Sequence, residues 1–420
     1  MNVPTARWAA RYAALSAGLP VGRHADSGAG VFLCGMSACI DARIDMRDVG
    51  PLLEEKINRQ AVELAAMMKR RVANGVGGEV RVEWPEGPAW LRERLGVRYA
   101  LGGTGPQAAW VLSRLGAPTL IALEDRYEQM LRQIPSDVLI GQGGVAVRAA
   151  DVVPTGQRMP EIFIFEYTAG SAVGDVVPKR SSRIIVRFHD RGIQKDRDFV
   201  EVSKKLAPTA AAGLLSGLND EPEENVEGAS KAVFDLGRAW KSAGLKTIHL
   251  ELAGYVTPDA MRAVLNLSRG AVTSIGMSHS ELLAMDPSAE QPMDALLALG
   301  ERLQLDRVCV HADTWAASAT RGDPGKELNA LMAGCAIAAA RAAAGSPVSE
   351  VRTDPAARFE NMPFASFSQR GDWSFVACPA PYLDRPTTTL GLGDSFTAGC
   401  LLVLGREAPS PVDGFQGSSL

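Results

Sequence analysis

The sequence predicts an α/β protein with a doubly wound, mostly parallel sheet and a smaller β-rich unit beside it. From about residue 230 onward, short apolar runs alternate with longer stretches of helical spacing. Such alternation requires crossover connections, which build parallel strands into a sheet covered on both faces. Before residue 190, several runs instead alternate apolar and polar residues, as strands with one open face do. A chain of 420 residues, 46% of them hydrophobic, can form both parts.

The composition excludes several classes of partner. The net charge of −4 at pH 7 indicates neither a nucleic-acid partner nor an anionic membrane surface. The six cysteines form no C-x-x-C pair, which favours a reduced, intracellular setting over a disulfide framework or a zinc site. No apolar stretch approaches the roughly 18 residues of a membrane span. We therefore expect a soluble, cytoplasmic protein, and the sequence leaves its oligomeric state open.

The N-terminal segment has two interpretations. Arg7, Arg11 and Arg23 precede the first acid, Asp26, and such a charge pattern also occurs in transit peptides. The stretch ARWAARYAAL equally has the spacing of an amphipathic helix. We favour the helix.

The first half of the chain contributes strands that we assign to the smaller unit. The stretch VFLCGMSACIDA is interpreted as one strand ending at Asp41, followed by a long helix through residue 74. The later runs alternate in the manner of antiparallel strands with a solvent-facing side. These runs are EVRVEW, VRYALGG, EIFIFEYTAG and SSRIIVRFHD.

The second half supplies the main sheet. Its helical stretches include NVEGASKAVFDLGRAWKSAG, TPDAMRAVLNLS, PMDALLALGERLQ and ELNALMAGCAIAAARAAAG, and its β-like runs are KTIHLELAG, AVTSIGMS and DRVCVHAD. Ligands of such sheets bind at the carboxyl ends of the strands. The polar residues at or just after these ends are therefore site candidates: His249, Glu251, Ser278, Glu281, His311 and Asp313.

The stretch GLGDSFTAG brings two glycines and an acid to the start of an apolar helix. The unpaired amides and the dipole at a helix N-terminus attract anions, and glycines let a phosphoryl group approach the backbone. Asp394 would repel that anion, unless it accepts a proton from a hydroxyl group that attacks the phosphorus. The alternative is that Asp394 is a plain N-cap after a tight turn.

Two acids at neighbouring strand ends suit a magnesium site. His249 and Glu251 lie two residues apart on one side of a strand, and Ser278 and Glu281 share one face of a helix start. Mg²⁺ prefers few carboxylates and several waters. The alternative for each acid is a helix cap or a surface carboxylate. A second glycine-rich turn, LGGTGPQAAWVLSRLG, is by itself as consistent with tight packing as with a site.

Together these stretches resemble one family. GLGDSFTAG resembles the G-x-G-D motif of the ribokinase superfamily, and the other stretches narrow the resemblance to its ADP-dependent glucokinase/phosphofructokinase family. IHLELA is similar to the H-x-E motif, GMSHSEL to the N-x-x-E motif and GGTGPQAA to the glycine pair before a helix. FIFEYTAG and SSRIIVRFHD resemble the family's lid-side strands, and CIDA its early sugar-binding strand. The order matches from about residue 31 to 403.

The resemblance implies the organisation and the site. It implies a single ribokinase-like catalytic unit over 1–420, with a lid built from inserted segments at approximately 41–57, 79–102 and 160–190. By position, the implied roles are a catalytic base (Asp394), an anion hole (Gly391, Leu392, Gly393), sugar binding (Asp41, Glu79, Gly103), nucleotide phosphate binding (Arg183) and the ordering of Mg²⁺ with its waters (Glu251, Glu281).

The departures from the family concern the acceptor pocket more than the catalytic core. Ser278 stands where the family has Asn, and His279 stands where it often has Glu. In the sugar strand, Ser37 and Cys39 replace hydrogen-bonding amides. The identity of the sugar is therefore less well predicted than the reaction.

The implied function is that of an ADP-dependent sugar kinase. Its partners would be ADP and a small sugar, with glucose as the leading acceptor because Glu79 occupies the position of an acid in glucose-phosphorylating members. The alternatives are fructose-6-phosphate, for which Lys179, Arg180 and Arg187 could bind the second phosphate, and a pentose or nucleoside. From a different class, a non-catalytic sugar or nucleotide sensor could share the fold, although a sensor needs no base.

Overall fold

In the computed structural model, which describes residues 3–19, 30–156, 160–255, 257–289 and 291–406, the chain forms two sheets. The strands are β1 (Phe32–Cys34), β2 (Cys39–Asp45), β3 (Gly78–Arg81), β4 (Arg98–Gly102), β5 (Thr119–Ile121), β6 (Leu139–Gln142), β7 (Val145–Arg148), β8 (Ile162–Tyr167), β9 (Ser182–Arg187), β10 (Ala212–Leu215), β11 (Ile248–Glu251), β12 (Ser274–Ser278), β13 (Arg307–His311), β14 (Trp315–Thr320), β15 (Phe367–Arg370) and β16 (Trp373–Pro379).

The helices are α1 (Val3–Ala17), α2 (Gly50–Leu53), α3 (Arg59–Ala73), α4 (Gly87–Arg94), α5 (Thr104–Arg114), α6 (Glu128–Leu131), α7 (Arg197–Leu206), α8 (Val226–Ser242), α9 (Pro258–Ser268), α10 (His279–Met285), α11 (Pro292–Leu303), α12 (Pro324–Ala344) and α13 (Leu392–Leu404). Single 3₁₀ turns occur at Met46–Asp48, Ala149–Asp151, Ala207–Thr209, Leu218–Asp220 and Glu223–Asn225.

The large sheet has the predicted doubly wound architecture. Its strand order is β15-β16-β14-β13-β12-β11-β10-β1-β5-β6-β7. The central strands from β13 through β10 and β1 to β6 run parallel, while the pairs at both margins are antiparallel. The central strands are buried, as parallel strands covered by helices on both faces must be. The predicted fold class is confirmed.

The N-terminal stretch is helical, as we favoured. Tyr12 of α1 is fully buried, and its hydroxyl donates a hydrogen bond to the carbonyl oxygen of Pro379 at 2.7 Å. The helix therefore packs onto the main core. Arg23 and Asp26, which also entered the prediction, lie outside the described residues.

The stretch VFLCGMSACIDA departs from the prediction of one strand. It forms β1 of the large sheet, then turns and enters β2 of the smaller sheet, where Asp41 lies in mid-strand. The long helix that was expected directly after Asp41 begins only at Arg59. Both strands pair with distant segments, and no local pattern in the sequence specifies those partners.

The smaller sheet has the order β3-β9-β8-β2-β4 and forms, with α2, α3 and α4, what we call the small lobe. It is mixed rather than antiparallel, since β2 runs parallel to β8 and β3 runs parallel to β9. Its apolar face packs on the helices through residues such as Ile44, Phe165 and Ile184. Its other face carries a small apolar cluster that includes Ile164 and Leu390, together with charged residues such as Arg43 and Arg187 that contact Thr388 and Asp220. The helix α3 lies outside the three segments predicted for the lid but packs on the same core.

Glycines bring α13 close to α12. A Cβ on Gly399 would lie 2.8 Å from the Cα of Gly334, a separation that carbon atoms do not tolerate. The two backbones can therefore approach only where neither residue has a side chain. This contact fixes α13, whose first turn opens toward the small lobe.

Two further expectations concern the chain as a whole. All six cysteines are buried and free, in agreement with the absence of a disulfide framework. In the ranges that the structure describes, no helix is long and apolar enough to cross a membrane.

Candidate active site

The main candidate residues lie where the small lobe contacts the large sheet through pairs such as Arg187 with Asp220 and Thr388 with Glu166, and we call this junction the cleft. The charges of Glu251 on β11 and Arg183 on β9 act on the pKa of Asp394 at the start of α13. The charge of Asp394 in turn acts on the pKa of Asp41 on β2. Residues from four distant segments of the chain are thus close enough for their charges to interact.

The first turn of α13 has the geometry of an anion site. Gly391 is the N-cap residue in the left-handed conformation, with φ +69° and ψ 17°, and no side chain caps the helix. The first amides of a helix have no acceptor within the helix, so those of Leu392 and Gly393 can bind an anion. Asp394 is the third helical residue rather than the N-cap. The plain N-cap alternative is therefore wrong.

Several groups set the protonation of Asp394. Burial raises the pKa of this carboxyl group. The positive charge of Arg341 and a hydrogen bond from Thr104 act in the opposite direction and lower it. The resulting base holds a proton more readily than an exposed aspartate, which suits proton transfer near neutral pH.

Glu251 is held by three partners. Its Oε2 atom lies 2.9 Å from Nε2 of His249 and accepts a hydrogen bond from the hydroxyl group of Thr397 at 3.0 Å, while His311 lies 3.7 Å from Oε1. Burial alone would raise the pKa of Glu251, but the two histidines lower it to about 2. Glu251 is therefore a fixed anion across the physiological pH range.

Glu281 belongs to a capping box at the start of α10. Its Oε2 accepts a hydrogen bond from the amide of Ser278 at 2.7 Å, and the Ser278 hydroxyl accepts one from the amide of Glu281 at 3.3 Å. Burial and the neighbouring charge of Glu251 raise the pKa of Glu281. Two carboxylates that repel each other are stabilised by a cation between or near them.

The donor set fits magnesium held through water. Over the described ranges, no three His, Cys, Asp or Glu side chains converge on a point that could hold a metal directly. Glu251 and Glu281 are a pair, and Mg²⁺ retains several waters when protein supplies few carboxylates. These two residues are therefore suited to orient water ligands of the ion.

Asp41 lies on the cleft face of β2 and is buried, with 4% of its surface exposed. The thiol of Cys39 donates to its Oδ1 at 3.6 Å. Burial raises the pKa of Asp41 to about 7, although the Cys39 hydrogen bond opposes the shift. Gly103 follows the neighbouring strand with φ +86°, and a Cβ there would lie 2.9 Å from the Cα of Ala38. The glycine thus lets this turn close against the segment that leads into β2.

The raised pKa of Asp41 predicts a pH-dependent stability. Between the unfolded value of 3.8 and about 7, the folded protein holds a proton that unfolding releases, so the free energy of unfolding falls as pH rises. From about pH 6 to about pH 8 this loss is roughly 1 kcal/mol. Asp41→Asn should lack this loss. In urea unfolding, the free energy of unfolding of the variant should therefore rise relative to that of the wild type as pH rises. Parallel pH dependences would contradict the buried proton.

Glu79 is engaged by Arg187. The Arg187 Nε atom donates to Oε2 of Glu79 at 2.9 Å, and its Nη2 lies 2.6 Å from Oδ1 of Asp220, a residue of the large lobe. Burial alone would lower the pKa of Arg187, but Asp220 and Glu79 raise it. This trio carries two negative charges and one positive charge. It also ties the small lobe to the large one.

Arg183 lies on the cleft face of β9, opposite Glu166 of β8. Glu166 pairs with Arg43 (Nε to Oε2, 3.1 Å) and accepts hydrogen bonds from the Thr388 hydroxyl at 2.8 Å and the Thr389 amide at 3.1 Å. These bonds connect the small lobe to the loop that leads into Gly391. The Nε atom of Arg183 is buried without a hydrogen-bond partner among the described residues, which leaves it available to a ligand.

Sequence reasoning missed several residues of this cleft. Thr104 begins α5 directly after the glycine pair and bonds Asp394. Thr397 lies one helical turn after Asp394 and bonds Glu251; its i+3 spacing was the available signal. Arg341 reaches the site from a distant helix without any local motif, and Glu166 lies within the stretch FIFEYTAG, where it was not singled out. Asp313, a candidate by position, instead pairs with Arg180 at the surface (2.8 Å).

A helix start that can hold a phosphoryl group, with an acid at its opening, is typical of phosphotransferases that act on hydroxyl groups. Residues 32–403 match the family described as ADP-specific Phosphofructokinase/Glucokinase conserved region. The chain belongs to this family of ADP-dependent sugar kinases. The predicted family is thereby confirmed.

Individual relatives are distant. An ADP-dependent glucose/glucosamine kinase of Pyrococcus abyssi is 22% identical over 269 residues, a match that covers 56% of this chain and 59% of that relative. The matched part thus spans less than two thirds of that relative's length.

Solved structures match over nearly the full chain. An ADP-dependent kinase in complex with fructose-6-phosphate and ADPβS has a TM-score of 0.74 at 16% identity, covering 97% of this chain and 99% of that one. A last common ancestor of ADP-dependent phosphofructokinases from Methanosarcinales has a TM-score of 0.69 at 16% identity, covering 98% and 100%. A Pyrococcus horikoshii phosphofructokinase with AMP has a TM-score of 0.68 at 16% identity, covering 90% and 98%. At these identities the likeness establishes the fold alone.

Proposed function

We propose that the protein transfers the β-phosphoryl group of ADP to a hydroxyl group of a sugar, with glucose as the leading acceptor. The observation that carries this proposal is the position of Asp394. It is the third residue of a helix whose N-cap is a left-handed glycine, and it shares the cleft with Asp41 and Glu251. An acid at this point can serve the attacking hydroxyl group while the helix amides hold the phosphoryl group.

The chain's own residues then have distinct tasks. The Asp394 carboxylate accepts the proton of the acceptor hydroxyl group as its oxygen attacks phosphorus, which is general-base catalysis. The amides of Leu392 and Gly393 stabilise the negative charge on the transferring group. Arg183, on the opposite side of the cleft, binds nucleotide phosphate. Closure of the small lobe excludes water, which would otherwise accept the phosphoryl group.

Magnesium would be held near Glu251 and Glu281, where it would neutralise phosphate charge. Gln at position 281 can preserve the capping box because its amide oxygen still accepts from Ser278. Glu281→Gln should therefore fold normally but raise the magnesium concentration for half-maximal activity about 10- to 100-fold, as loss of an outer-sphere partner does.

The magnesium titration needs a matched control. Glu227 is an exposed carboxylate on α8, with 67% of its side chain accessible, and it pairs with Lys231. Glu227→Gln should therefore need the same magnesium concentration for half-maximal activity as the wild type. Glu251→Gln should shift in the same direction as Glu281→Gln. If both site variants respond to magnesium like the control, these two acids have only a structural role.

The charges around the acceptor region favour an unphosphorylated sugar. Arg187 is matched by two carboxylates, Glu79 and Asp220, and the neighbouring Arg191 is matched by Asp125. A second phosphate would have to displace these partners, and Asp41 adds negative charge once it loses its proton above about pH 7. Carboxylates readily accept hydrogen bonds from neutral hydroxyl groups, whereas beside a sugar phosphate they add repulsion.

Fructose-6-phosphate is the second candidate. It is bound in the related ADP-dependent kinase structure, and Arg187 lies in the cleft where it could exchange a carboxylate for a phosphate. A panel of donors (ADP, ATP) and acceptors (glucose, glucosamine, fructose-6-phosphate, pentoses, nucleosides) tests the proposal. We expect turnover with ADP and glucose and release of AMP. Equal rates with ATP would contradict the donor, and turnover of fructose-6-phosphate alone would contradict the acceptor.

The role of Glu79 gives a sharper test of the acceptor. Glu79→Ala should raise KM for glucose about tenfold or more and leave KM for ADP unchanged, since a site built to bond a hydroxyl group depends strongly on that bond. It also removes one of the two carboxylates that pair with Arg187, so any activity on fructose-6-phosphate should rise. Glu63→Ala, at an exposed pair with Arg59 on the same lobe, is the control. An unchanged KM for glucose in Glu79→Ala would show that Glu79 does not contact the acceptor.

A further inference from the structure

Arg341 is a buried arginine directly behind the anion site. Only 4% of its surface is exposed. Its Nη2 donates to the side-chain oxygen of Gln107 at 2.7 Å, and its Nη1 donates to the hydroxyl group of Ser395 at 3.2 Å. A Cβ on Gly391 would lie 2.5 Å from Nη1, so the guanidinium group occupies the space that a side chain at Gly391 would need.

This charge lacks a matching carboxylate within contact distance. Among the described residues, the two other buried arginines are paired, Arg187 with Glu79 and Asp220, and Arg307 with Glu327. Arg341 takes part in none of the ion pairs found within the described ranges, and its Nε atom has no partner there. Burial lowers the pKa of Arg341 only to about 10, so the group remains charged at neutral pH.

Asp394 and Asp41 offset part of this charge from beyond contact distance, and the ring of Trp110 lies 5.8 Å from the guanidinium carbon. A buried cation without a contacting counterion is still unfavourable unless something compensates it further. The geometry offers that further compensation in an anion on the amides of α13, since the guanidinium group lies against Gly391 at the start of this helix. Ser395 strengthens the connection, because its hydroxyl group accepts from Arg341 and donates to the carbonyl oxygen of Gly391 at 2.7 Å. The charge is thus attached to the backbone of the anion site.

We propose that Arg341 is a positioning residue that holds Gly391 and, by its charge, selects nucleotides carrying a phosphoryl group at the anion site. In a site that rests on the proposed function, this means ADP, whose β-phosphoryl group would occupy the first turn of α13, over AMP, which lacks it. A residue that served only to pack α12 against α13 would not distinguish the two nucleotides.

The same charge acts on the catalytic base. Arg341 lowers the pKa of Asp394, as Arg183 does, while burial and the charge of Glu251 raise it; Asp41 also lies in this field. Removing the positive charge of Arg341 should therefore raise the pKa of Asp394. In the pH profile of kcat/KM, the fall in activity on the acid side should therefore move to higher pH.

The test compares Arg341→Met and Arg341→Lys with the wild type in binding of ADP and AMP at constant magnesium, by calorimetry. Arg341→Met should weaken the binding of ADP about tenfold or more. It should change the Kd of AMP by no more than about twofold. Arg341→Lys retains the charge and should keep most of the ADP preference. Arg92→Met is the control, because Arg92 pairs with Glu161 (3.0 Å) on the far side of the small lobe.

Equal weakening of ADP and AMP by Arg341→Met, with an unshifted acid limb, would overturn the proposal. If Arg341→Met does not fold, Ser395→Ala, which removes one bond between Arg341 and the Gly391 turn, should lower the ADP preference by a smaller factor; no change would equally overturn the proposal. Nucleotide binding is measured without an acceptor. Failure to phosphorylate sugars would therefore contradict the proposed function, while the comparison of ADP with AMP binding would still test the role of Arg341.

Discussion

Asp394→Asn should lower kcat by about 10² to 10⁴, the usual contribution of a general base. Asparagine has nearly the shape of aspartate but cannot accept the proton of the attacking hydroxyl group. Because burial raises the pKa of Asp394, removing its charge should not destabilise the fold. ADP binding should persist, and the measurement is kcat with ADP beside thermal unfolding of the same sample.

The control for this substitution is Asp259→Asn. Asp259 also lies in the first turn of a helix, α9, but it is exposed and pairs with Arg262. It reproduces the loss of a carboxylate near a helix N-terminus without touching the cleft. If Asp394→Asn kept more than about a third of the wild-type kcat, far above the loss expected of a missing base, Asp394 would not be that base.

Gly391→Ala should be nearly as damaging for a steric reason. A non-glycine residue in the left-handed conformation costs about 1–2 kcal/mol, and the new Cβ would collide with the guanidinium group of Arg341. The first turn of α13 must then move, which misplaces the amides of the anion site. Loss of one such donor typically lowers kcat about 10²- to 10³-fold, and we expect an effect of this size.

Gly371→Ala separates the two components of that effect. Gly371 has φ +62°, and a Cβ added to it would meet no atom within 4 Å. It should therefore show the same backbone cost in thermal unfolding, with full activity. A Gly391→Ala variant as active as Gly371→Ala would mean that the α13 amides do not hold the phosphoryl group.

Much of the local structure could be predicted because it depends on backbone periodicity. The two-residue spacing of a strand brings His249 and Glu251 to one side, where they bond at 2.9 Å. The helical spacing of Ser278 and Glu281 makes a capping box. Alternating strands and helices predict the parallel sheet. The first two relations lie within a few residues, and the alternation follows from the local pattern of each segment, so sequence neighbours determine them.

Other features depend on partners that are far apart in the chain. Asp41 was expected at the end of a strand, yet it lies within β2 because that strand pairs with β4 and β8 of a second sheet. The charge of Glu79 could be read from the sequence, but its pairing with Arg187 could not.

The sequence by itself determined the α/β class, the family motifs and the strand-end position of Glu251. The tertiary structure alone decided which charges are compensated and which are left for a ligand. Arg341 illustrates the difference, since it lies 50 residues before Gly391 (341 to 391) and within an alanine-rich helix that carries no motif. The electrostatic energy of a buried charge depends on every group packed around it, and packing joins elements whose separation in the chain no local pattern encodes.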